Sequence, residues 1–463
     1  MTFHAFRRPV LLRDLRETLA LALPLIAAQL ALFGQHLVDV VLAGHLGARV
    51  LSVVGIGTNA WGVVLMAIIG MMMALPPSVA QLDGAGRRRE VVGLFRQAVW
   101  LALGLGVLMQ QVAWWGAPVV LGLLGIAPDV IADTVNFIRV LSFSAPAAAL
   151  FCACRGLTDG LSRPRVSLGF GLLGLAVLAP LGWAMMYGRL GFPPMAAMGC
   201  AWANLIAMWV AALAYLGFVR FSRTTRDLGW TRGGAAPNWN AILGLLRVGT
   251  PMSVSVVLEA AVFATAALVV ASFGEIAAGS HQIALNVAAL SFMVPLGLSM
   301  AVTVRVGNAV GRGDLIGMRR AGLVGVATAL VTQSVPAALM LLAPAAIASL
   351  YTNDPALIAG ATGLLMLAAL FQLSDGVQVA SMGALRGLKD TRMPMFIAAF
   401  SYWGVGMPTG WVLSFQGGFG MSGMWIGLIA GLSCAAVLLT LRFHLRSRRQ
   451  LAMLPMAEQA VAG

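Results

Sequence analysis

The sequence predicts an all-α polytopic membrane protein, with twelve transmembrane helices in two parallel six-helix repeats around a central cleft. Three observations predict this class: the composition, the alternation of basic residues along the chain, and the similarity of its two halves. The 463 residues are 60% hydrophobic and 10% charged, with a mean hydropathy of +0.90. Because a soluble domain carries about 25% charged residues, the composition excludes that class.

The chain contains many apolar stretches of about 20 residues, the length that a helix needs to span a membrane. Arginines precede the first stretch, but no small-residue cleavage site follows it. We therefore expect this stretch to remain as a span, and not to act as a cleaved signal peptide. We place the twelve spans at residues 17–43, 51–80, 93–117, 132–154, 166–187, 195–219, 244–272, 281–309, 319–343, 357–384, 394–415 and 421–443.

The basic residues alternate between the two sides of these spans. Of the 30 lysines and arginines, all but Arg49, Arg139 and Arg189 fall on the side of the chain termini. By the positive-inside rule both termini are cytoplasmic, and the number of spans is even. The net charge of +14 is therefore a topology signal, and we expect no nucleic-acid partner.

The two halves of the chain match each other when the sequence is shifted by 227 positions. Nine identities then fall in order without a gap, among them Pro24 with Pro251 and Asn59 with Asn286. A second block, R-G-L-x-D at residues 155–159 and 386–390, matches at an offset of 231. Each half holds six spans, so the repeats run parallel, which is typical of transporters that expose a cleft alternately to either side.

This repeat predicts a simple domain organisation. The basic, glycine-bearing stretch between the halves is the expected cytoplasmic linker. The predicted parts are a cytoplasmic tail at 1–16, an N-lobe at 17–219, the linker at 220–243, a C-lobe at 244–443 and a second cytoplasmic tail at 444–463.

Three acidic residues fall inside predicted spans: Asp39 in span 1, Glu259 in span 7 and Asp375 in span 10. An ionisable residue in a membrane costs about 2.5–3.5 kcal/mol on insertion scales and is therefore a candidate functional residue. Such a carboxyl group can carry a proton, bind Na+ or attract a cationic substrate. The structural alternative is a carboxyl group that only holds a neighbouring helix by a hydrogen bond.

Uncharged residues near these acids are candidates for substrate binding, with interhelical packing as the alternative for each. They are Gln35, Asn59, Gln282, Asn286 and Phe371. The histidines and cysteines lack metal-ligand spacing, and we find no phosphate-binding loop or nucleophile motif. We therefore expect no cofactor and no enzyme activity, only a coupling ion.

The chain resembles the multidrug and toxic compound extrusion (MATE) family, in its NorM-like bacterial branch, from about residue 15 to 445. No single one of the motifs that carry this resemblance is specific for the family, but the whole set of motifs is. The stretches that carry the resemblance are P-L-I-A-A-Q at 24–29, D-V-V-L-A-G-H-L-G at 39–47, P-P-S-V-A-Q-L-D-G-A-G at 76–86, R-G-L-x-D at 155–159, G-T-P-M-S-V-S-V-V-L-E at 249–259, H-Q-I-A-L-N at 281–286, V-G-N-A-V-G-R-G-D at 306–314, D-G-V-Q at 375–378 and L-R-G-L-K-D-T at 385–391.

The resemblance implies a monomeric antiporter in a bacterial inner membrane that expels lipophilic, mostly cationic drugs in exchange for H+ or Na+. In such proteins the acid that matches Asp39 is a proton or substrate group. The acids that match Glu259 and Asp375 are associated with the coupling cation, which makes this pair the candidate Na+ site. Gln282 and Asn59 fall where relatives line the substrate cleft, and membrane lipids are the other expected partners.

The sequence departs from the family pattern at two places. The family often has asparagines in the fifth span, where this chain has Leu178 and Gly182. Relatives also often have a tyrosine one turn before the tenth-span acid, where this chain has Phe371. The missing hydroxyl oxygen weakens the expectation of a Na+ site, so the coupling ion stays open between H+ and Na+.

Other functions are weaker alternatives. A flippase for lipid-linked sugars should have several basic residues inside its spans to bind pyrophosphate, and these spans hold almost none away from their cytoplasmic ends. Another small-molecule exporter of the same superfamily stays open. A polytopic membrane enzyme should show an Asp, His and Glu cluster at one interface or in a large loop, and the longest loops lack one.

Overall fold

The computed structural model describes residues 8–122, 128–222 and 236–452, and these residues form helices without any β-strand. The first half contains α1 (Arg8–His45), α2 (Ala48–Met72), α3 (Leu75–Gly84), α4 (Arg88–Gly122), α5 (Pro128–Ser142), α6 (Ala145–Gly160), α7 (Pro164–Tyr187) and α8 (Ala196–Phe221). The second half contains α9 (Trp239–Ala271), α10 (Glu275–Gly311), α11 (Leu315–Leu342), α12 (Pro344–Ser349), α13 (Pro355–Gly387), α14 (Arg392–Ala399), α15 (Met407–Trp411) and α16 (Gly420–Ala452).

The described helices account for the twelve predicted spans. Ten are long and apolar enough to cross a membrane, and an eleventh is the pair α5 and α6, bent by 44° at their junction. A further helical stretch, from Arg392 to Gln416, covers the predicted span at 394–415. In it the π-helical segment Phe400–Gly406 separates α14 from α15, and the π-helical segment Val412–Gln416 follows α15. The chain is a multi-pass, all-helical membrane protein, as its apolar stretches predict.

The backbone repeats at an offset of 227. Gly47 and Gly274, which precede α2 and α10, have φ angles of 111° and 106°. Only glycine adopts such angles without strain, so these equivalent glycines allow the same turn in each half. Ser162 and Lys389 also correspond at this offset, with φ angles of 59° and 56°. The same chain path is therefore built twice.

The structure corrects the predicted match at an offset of 231. A Cβ atom added to Gly160 would lie 2.6 Å from the Cβ of Val79, and one added to Gly387 would lie 2.7 Å from the Cβ of Val306. Gly160 is thus equivalent to Gly387, and the offset stays at 227. The R-G-L-x-D alignment of 155–159 with 386–390 is wrong by four residues, because four residues make about one helical turn and preserve the buried face.

The chain divides into two compact units. The N-unit comprises Ala27–Ser253, and the C-unit comprises Met1–Ile26 with Val254–Gly463. The two boundaries, within α1 and within α9, are themselves 227 residues apart. These boundaries differ from those of the predicted lobes at 17–219 and 244–443, which stay a prediction. Within the predicted tails and linker, residues 1–7, 223–235 and 453–463 lie outside the described part of the chain.

Each unit has its own buried apolar core. In the C-unit, α10 packs against α13 and α11, and α13 packs against α16. In the N-unit, α7 packs against α8, and α6 packs against α4 and α8. Small residues allow these close approaches, since packing in a membrane depends on contact more than on the hydrophobic effect.

Replacing Gly387 by alanine should destabilise the protein. The added Cβ would meet the side chain of Val306 and the carbonyl oxygen of Thr303, at 2.7 and 2.8 Å. We expect a cost of about 1–3 kcal/mol, measured as a lower thermal midpoint of the purified protein. The matched control is Gly363→Ala on the same helix, where nothing lies within 4 Å of the added atom. Equal midpoints for the two variants would contradict this packing.

Candidate functional site

Asp39 lies on α1 of the N-unit and is 5% exposed. Its carboxylate accepts hydrogen bonds only from neutral side chains of α8 among the described residues. The Nδ2 atom of Asn204 lies 3.0 Å from each carboxylate oxygen, and the Sγ atom of Cys200 lies 3.3 Å from Oδ1. Within the described part of the chain, this carboxyl group is therefore satisfied without an ion pair.

Other buried carboxylates of the chain are held differently. Asp159 pairs with Arg155 at 3.3 Å, and Asp390 pairs with Arg442 at 2.8 Å. Asp14 pairs with Arg305 at 2.6 Å and also with Arg320. Each of these acids is at most 7% exposed, as Asp39 is. The neutral surroundings of Asp39 are thus a specific feature, which leaves its charge uncompensated within its own site.

A small cavity of about 30 Å³ lies beside Asn204 in the N-unit. Gln35, Phe151, Phe170 and Met208 are among the residues that line it. The cavity has room for about two water molecules. Gln35 donates a weak hydrogen bond of 3.4 Å to the carbonyl oxygen of Gly171. The predicted residues Gln35 and Asp39 therefore belong to one site, joined through Asn204.

Asn204 was missed by the sequence analysis, although it is an amide within a predicted span. The family pattern directs attention to the fifth span, where Leu178 and Gly182 replace the expected asparagines. Leu178 lines the cavity, and Gly182 lies next to the side chain of Leu42. The amide at this site comes instead from the next helix, α8. The signal in the sequence that could have identified Asn204 was its position one helical turn after Cys200.

Glu259 lies on α9 of the C-unit and lines a cavity of about 10 Å³. The same cavity is lined by Tyr402 and Gly406, from the π-helical segment Phe400–Gly406, and by Phe263. Its volume matches roughly one water molecule or one ion. π-Helical turns change the direction of side chains and are frequent at functional sites. Here the turn places Tyr402 in the wall of the same cavity as Glu259.

Asp375 lies on α13, is 3% exposed and repels Glu259 electrostatically. One turn later, the Nε2 atom of Gln378 donates a hydrogen bond of 2.8 Å to the hydroxyl oxygen of Tyr402. Arg386, in the last turn of α13, attracts Glu259. The structure therefore groups Glu259 and Asp375 with Gln378 and Tyr402, neither of which was a predicted site residue.

Phe371 belongs to an aromatic cluster next to this site. Its ring centroid lies 5.9 Å from Phe263 and 5.7 Å from Trp425, in edge-on arrangements. Trp425 in turn donates a 3.0 Å hydrogen bond to Nδ1 of His281. Phe371 is 3% exposed. It forms the apolar wall behind the carboxyl groups and provides no oxygen.

The remaining predicted residues lie elsewhere in each unit. Gln282 and Asn286 are exposed on α10, where the Nε2 atom of Gln282 lies 3.3 Å from Oδ1 of Asn286. Asn59 is exposed on α2 and is not among the described residues that line the cavity beside Asn204. These three amides are available to a ligand, but neither cavity includes them.

The two cavities occupy equivalent positions of the repeat. At an offset of 227, Leu32 corresponds to Glu259, Gln35 to Val262 and Asn204 to Gly431. All six residues line one cavity or the other. The same pocket thus carries amides in the N-unit and a carboxyl group in the C-unit. Within the described residues, no group of three or more His, Cys, Asp or Glu side chains could hold a metal ion.

Comparisons with known proteins agree on one family. The MatE family model matches residues 24–184 and again residues 251–412, two stretches that begin 227 residues apart. The probable multidrug resistance protein NorM of Xanthomonas campestris pv. campestris is 46% identical over 94% of this chain and 95% of that protein. The multidrug resistance protein PmpM of Pseudomonas aeruginosa is 40% identical over 94% of this chain and 92% of that protein.

A similar fold occurs in a solved structure. The crystal structure of the eukaryotic MATE transporter AtDTX14 covers 95% of this chain and 98% of that chain, with a TM-score of 0.86 and 20% identity. At this identity the likeness shows the fold. The double match of the family model also supports the repeat of two six-helix halves.

The contact between Asp39 and Asn204 can be tested by a double-mutant cycle. Asn204→Leu should destabilise the protein by about 1–3 kcal/mol, because it removes the amide donor to both oxygens of a buried carboxylate and leaves only the thiol of Cys200. The same change should cost much less in an Asp39→Leu background, where no acceptor is left unsatisfied. Thermal unfolding of the four purified proteins provides the measurement. Strictly additive effects would show that the two side chains do not interact.

Proposed function

Because this chain belongs to the MatE family, we propose that it is a secondary active antiporter that exports lipophilic, mostly cationic drugs in exchange for H+ or Na+. Family membership makes it a membrane transporter and not an enzyme. The relatives are named for multidrug resistance. The observation that carries the proposal is the position of Asp39, Glu259 and Asp375 inside membrane-spanning helices, where Asp39 and Asp375 are buried and Asp39 accepts hydrogen bonds from neutral side chains.

The exchange rests on these carboxyl groups. When they are ionised, they attract an organic cation, and the amides Gln35, Asn59, Gln282 and Asn286 with Phe371 bind its polar and apolar parts. When H+ or Na+ binds, the charge is neutralised and the drug leaves. By linkage, the ion and the drug weaken each other's binding by the same factor. Alternation between inward- and outward-facing states then couples the two movements.

Both coupling ions are compatible with the site of the C-unit. The family's usual tyrosine is Phe371 here, but Tyr402, which carries a hydroxyl group, and Glu259 line the same cavity of about 10 Å³. Carboxylate and hydroxyl oxygens are suitable ligands for a hard cation. A proton requires only the carboxyl group, so the residues favour neither ion over the other.

The setting of the proposed antiporter follows from its charges. The bias of 27 basic residues to one side of the spans supports cytoplasmic termini. Its relatives are bacterial, which supports an inner-membrane location. We propose that a monomer suffices, because one chain carries both six-helix halves. Its partners are then small organic cations and membrane lipids.

Glu259→Gln should abolish export and leave the protein inserted in the membrane. Glutamine keeps the size of the side chain but can neither bind a proton nor carry a charge. We expect drug efflux from cells to fall to the level of cells without the protein, at equal protein content. The matched control is Glu275→Gln, at the exposed start of α10, which should export normally. Efflux by Glu259→Gln at the unmodified rate would remove Glu259 from the mechanism.

The coupling ion can be determined with inverted membrane vesicles. A proton gradient or a Na+ gradient is applied separately, and uptake of a fluorescent cationic drug is recorded. We expect one gradient to drive concentrative uptake, and the same gradient to fail in Glu259→Gln vesicles. If uptake without a gradient equalled uptake with either gradient, antiport would be excluded, even if the protein binds the drug.

A further inference from the structure

The N-unit contains a second, much larger cavity of about 630 Å³, distinct from the site of Asp39. Its walls come from the start of α2, from α4 and α5, and from the start of α8. The residues used in the argument below are Arg49, Trp114, Asp133, Arg139, Phe143 and Trp202. A volume of this size is typical of small-molecule sites, which combine an apolar lining with a few polar groups.

Arg139 is the main charged group of this cavity. It lies on α5 eleven residues after Pro128, which is about 16 Å along the helix. Its guanidinium carbon lies 5.1 Å from the ring centroid of Trp114, a cation–π contact. Its Nε atom is buried and has no hydrogen-bond partner among the described residues. An arginine in a spanning segment with an unused donor is a candidate binding residue.

A second arginine lies in the same cavity and is partly neutralised. The Nη2 atom of Arg49 lies 2.9 Å from Oδ2 of Asp133, and these side chains are 63% and 50% exposed. Among the lining residues that the structure describes, Arg49, Asp133 and Arg139 sum to one net positive charge. Two of the three basic residues outside the cytoplasmic loops thus meet at one place. The chemistry favours a ligand with a single negative charge.

The cavity borders an exposed apolar face of the N-unit. Trp202 lines it and begins a stripe on α8 in which every large side chain is apolar and at least 36% exposed. The stripe consists of Trp202, Ile206, Val210 and Leu213. Phe143, another lining residue, is 46% exposed. Such a stripe on a spanning helix is accommodated by hydrocarbon, so an acyl chain can leave the cavity along it.

The repeat provides an internal comparison. At an offset of 227, the counterparts of Arg49, Asp133 and Arg139 are Ile276, Gly360 and Met366. The counterpart of Trp114 is Leu341. The corresponding helices of the C-unit therefore fold without any of these charges. The fold does not require the charged cluster of the N-unit, so a ligand is the more economical reason for it.

We propose that this cavity binds one phospholipid with an anionic headgroup, whose phosphate contacts Arg139 and Arg49 and whose acyl chain follows Phe143 and Trp202. Arginine binds phosphate through charge-assisted hydrogen bonds. A free anion shares the phosphate chemistry, but the mostly apolar lining and the exposed apolar stripe favour the lipid. This lipid site is separate from the proposed drug and ion sites.

Native mass spectrometry of the delipidated full chain in detergent tests the proposal. Phosphatidylglycerol, phosphatidylethanolamine and inorganic phosphate are added in separate titrations. We expect phosphatidylglycerol to bind best and excess inorganic phosphate not to displace it. Arg139→Gln should weaken phosphatidylglycerol binding at least tenfold, because a charge-assisted contact is lost. The matched control is Arg189→Gln, an exposed arginine outside the cavity, which should bind normally.

A second variant, which is expected to strengthen lipid binding, keeps the test valid if Arg139→Gln does not fold. Asp133→Asn removes a lining carboxylate that would repel an anionic headgroup, so phosphatidylglycerol should bind several-fold more tightly. Three results would overturn the proposal. They are equal binding by Arg139→Gln and Arg189→Gln, unchanged or weaker binding by Asp133→Asn, and binding of inorganic phosphate that competes fully with the lipid. Export by the unmodified protein does not enter this test, so it is independent of the proposed transport function.

Discussion

The constraint on which this structure depends is the burial of carboxyl groups inside apolar helices. Each one costs about 2.5–3.5 kcal/mol on insertion scales, so it must be satisfied by its neighbours. Three buried acids outside the predicted spans, Asp14, Asp159 and Asp390, are held by arginines. Inside a span the solution differs. Asp39 is held by an amide and a thiol, which satisfy its oxygens and leave its charge available to a cation.

The duplicated fold separates what the backbone requires from what the site requires. Gly160 lies against Val79 in the first half, and its counterpart Gly387 lies against Val306 in the second. This packing is therefore a property of the shared fold. The cavities next to α1 and α9 repeat as well, but their polar groups do not. Leu32 occupies the position of Glu259, and Gly431 that of Asn204. Chemistry has therefore diverged on a shared scaffold, which is the general relation between folds and functions.

Much of the fold could be predicted because it follows from local patterns. Apolar length predicts the spans, the alternation of arginines predicts an even number of them, and the offset of 227 predicts the repeat. The alignment of residues 155–159 with 386–390 failed because a shift of one helical turn preserves the buried face. Only contacts across helices, such as Gly387 with Val306, distinguish the two alignments.

The site was predicted in part for a similar reason. The three intramembrane acids are visible in the sequence because their cost is intrinsic to the residue. Asn204, Gln378 and Tyr402 are not, since their roles depend on which helix face meets which acid. In the sequence, Arg139 is only one of three basic residues outside the predicted cytoplasmic loops. Its contact with Trp114 is a feature of the structure. The role of a polar residue in a membrane protein thus depends on its partner, and the tertiary structure determines that partner.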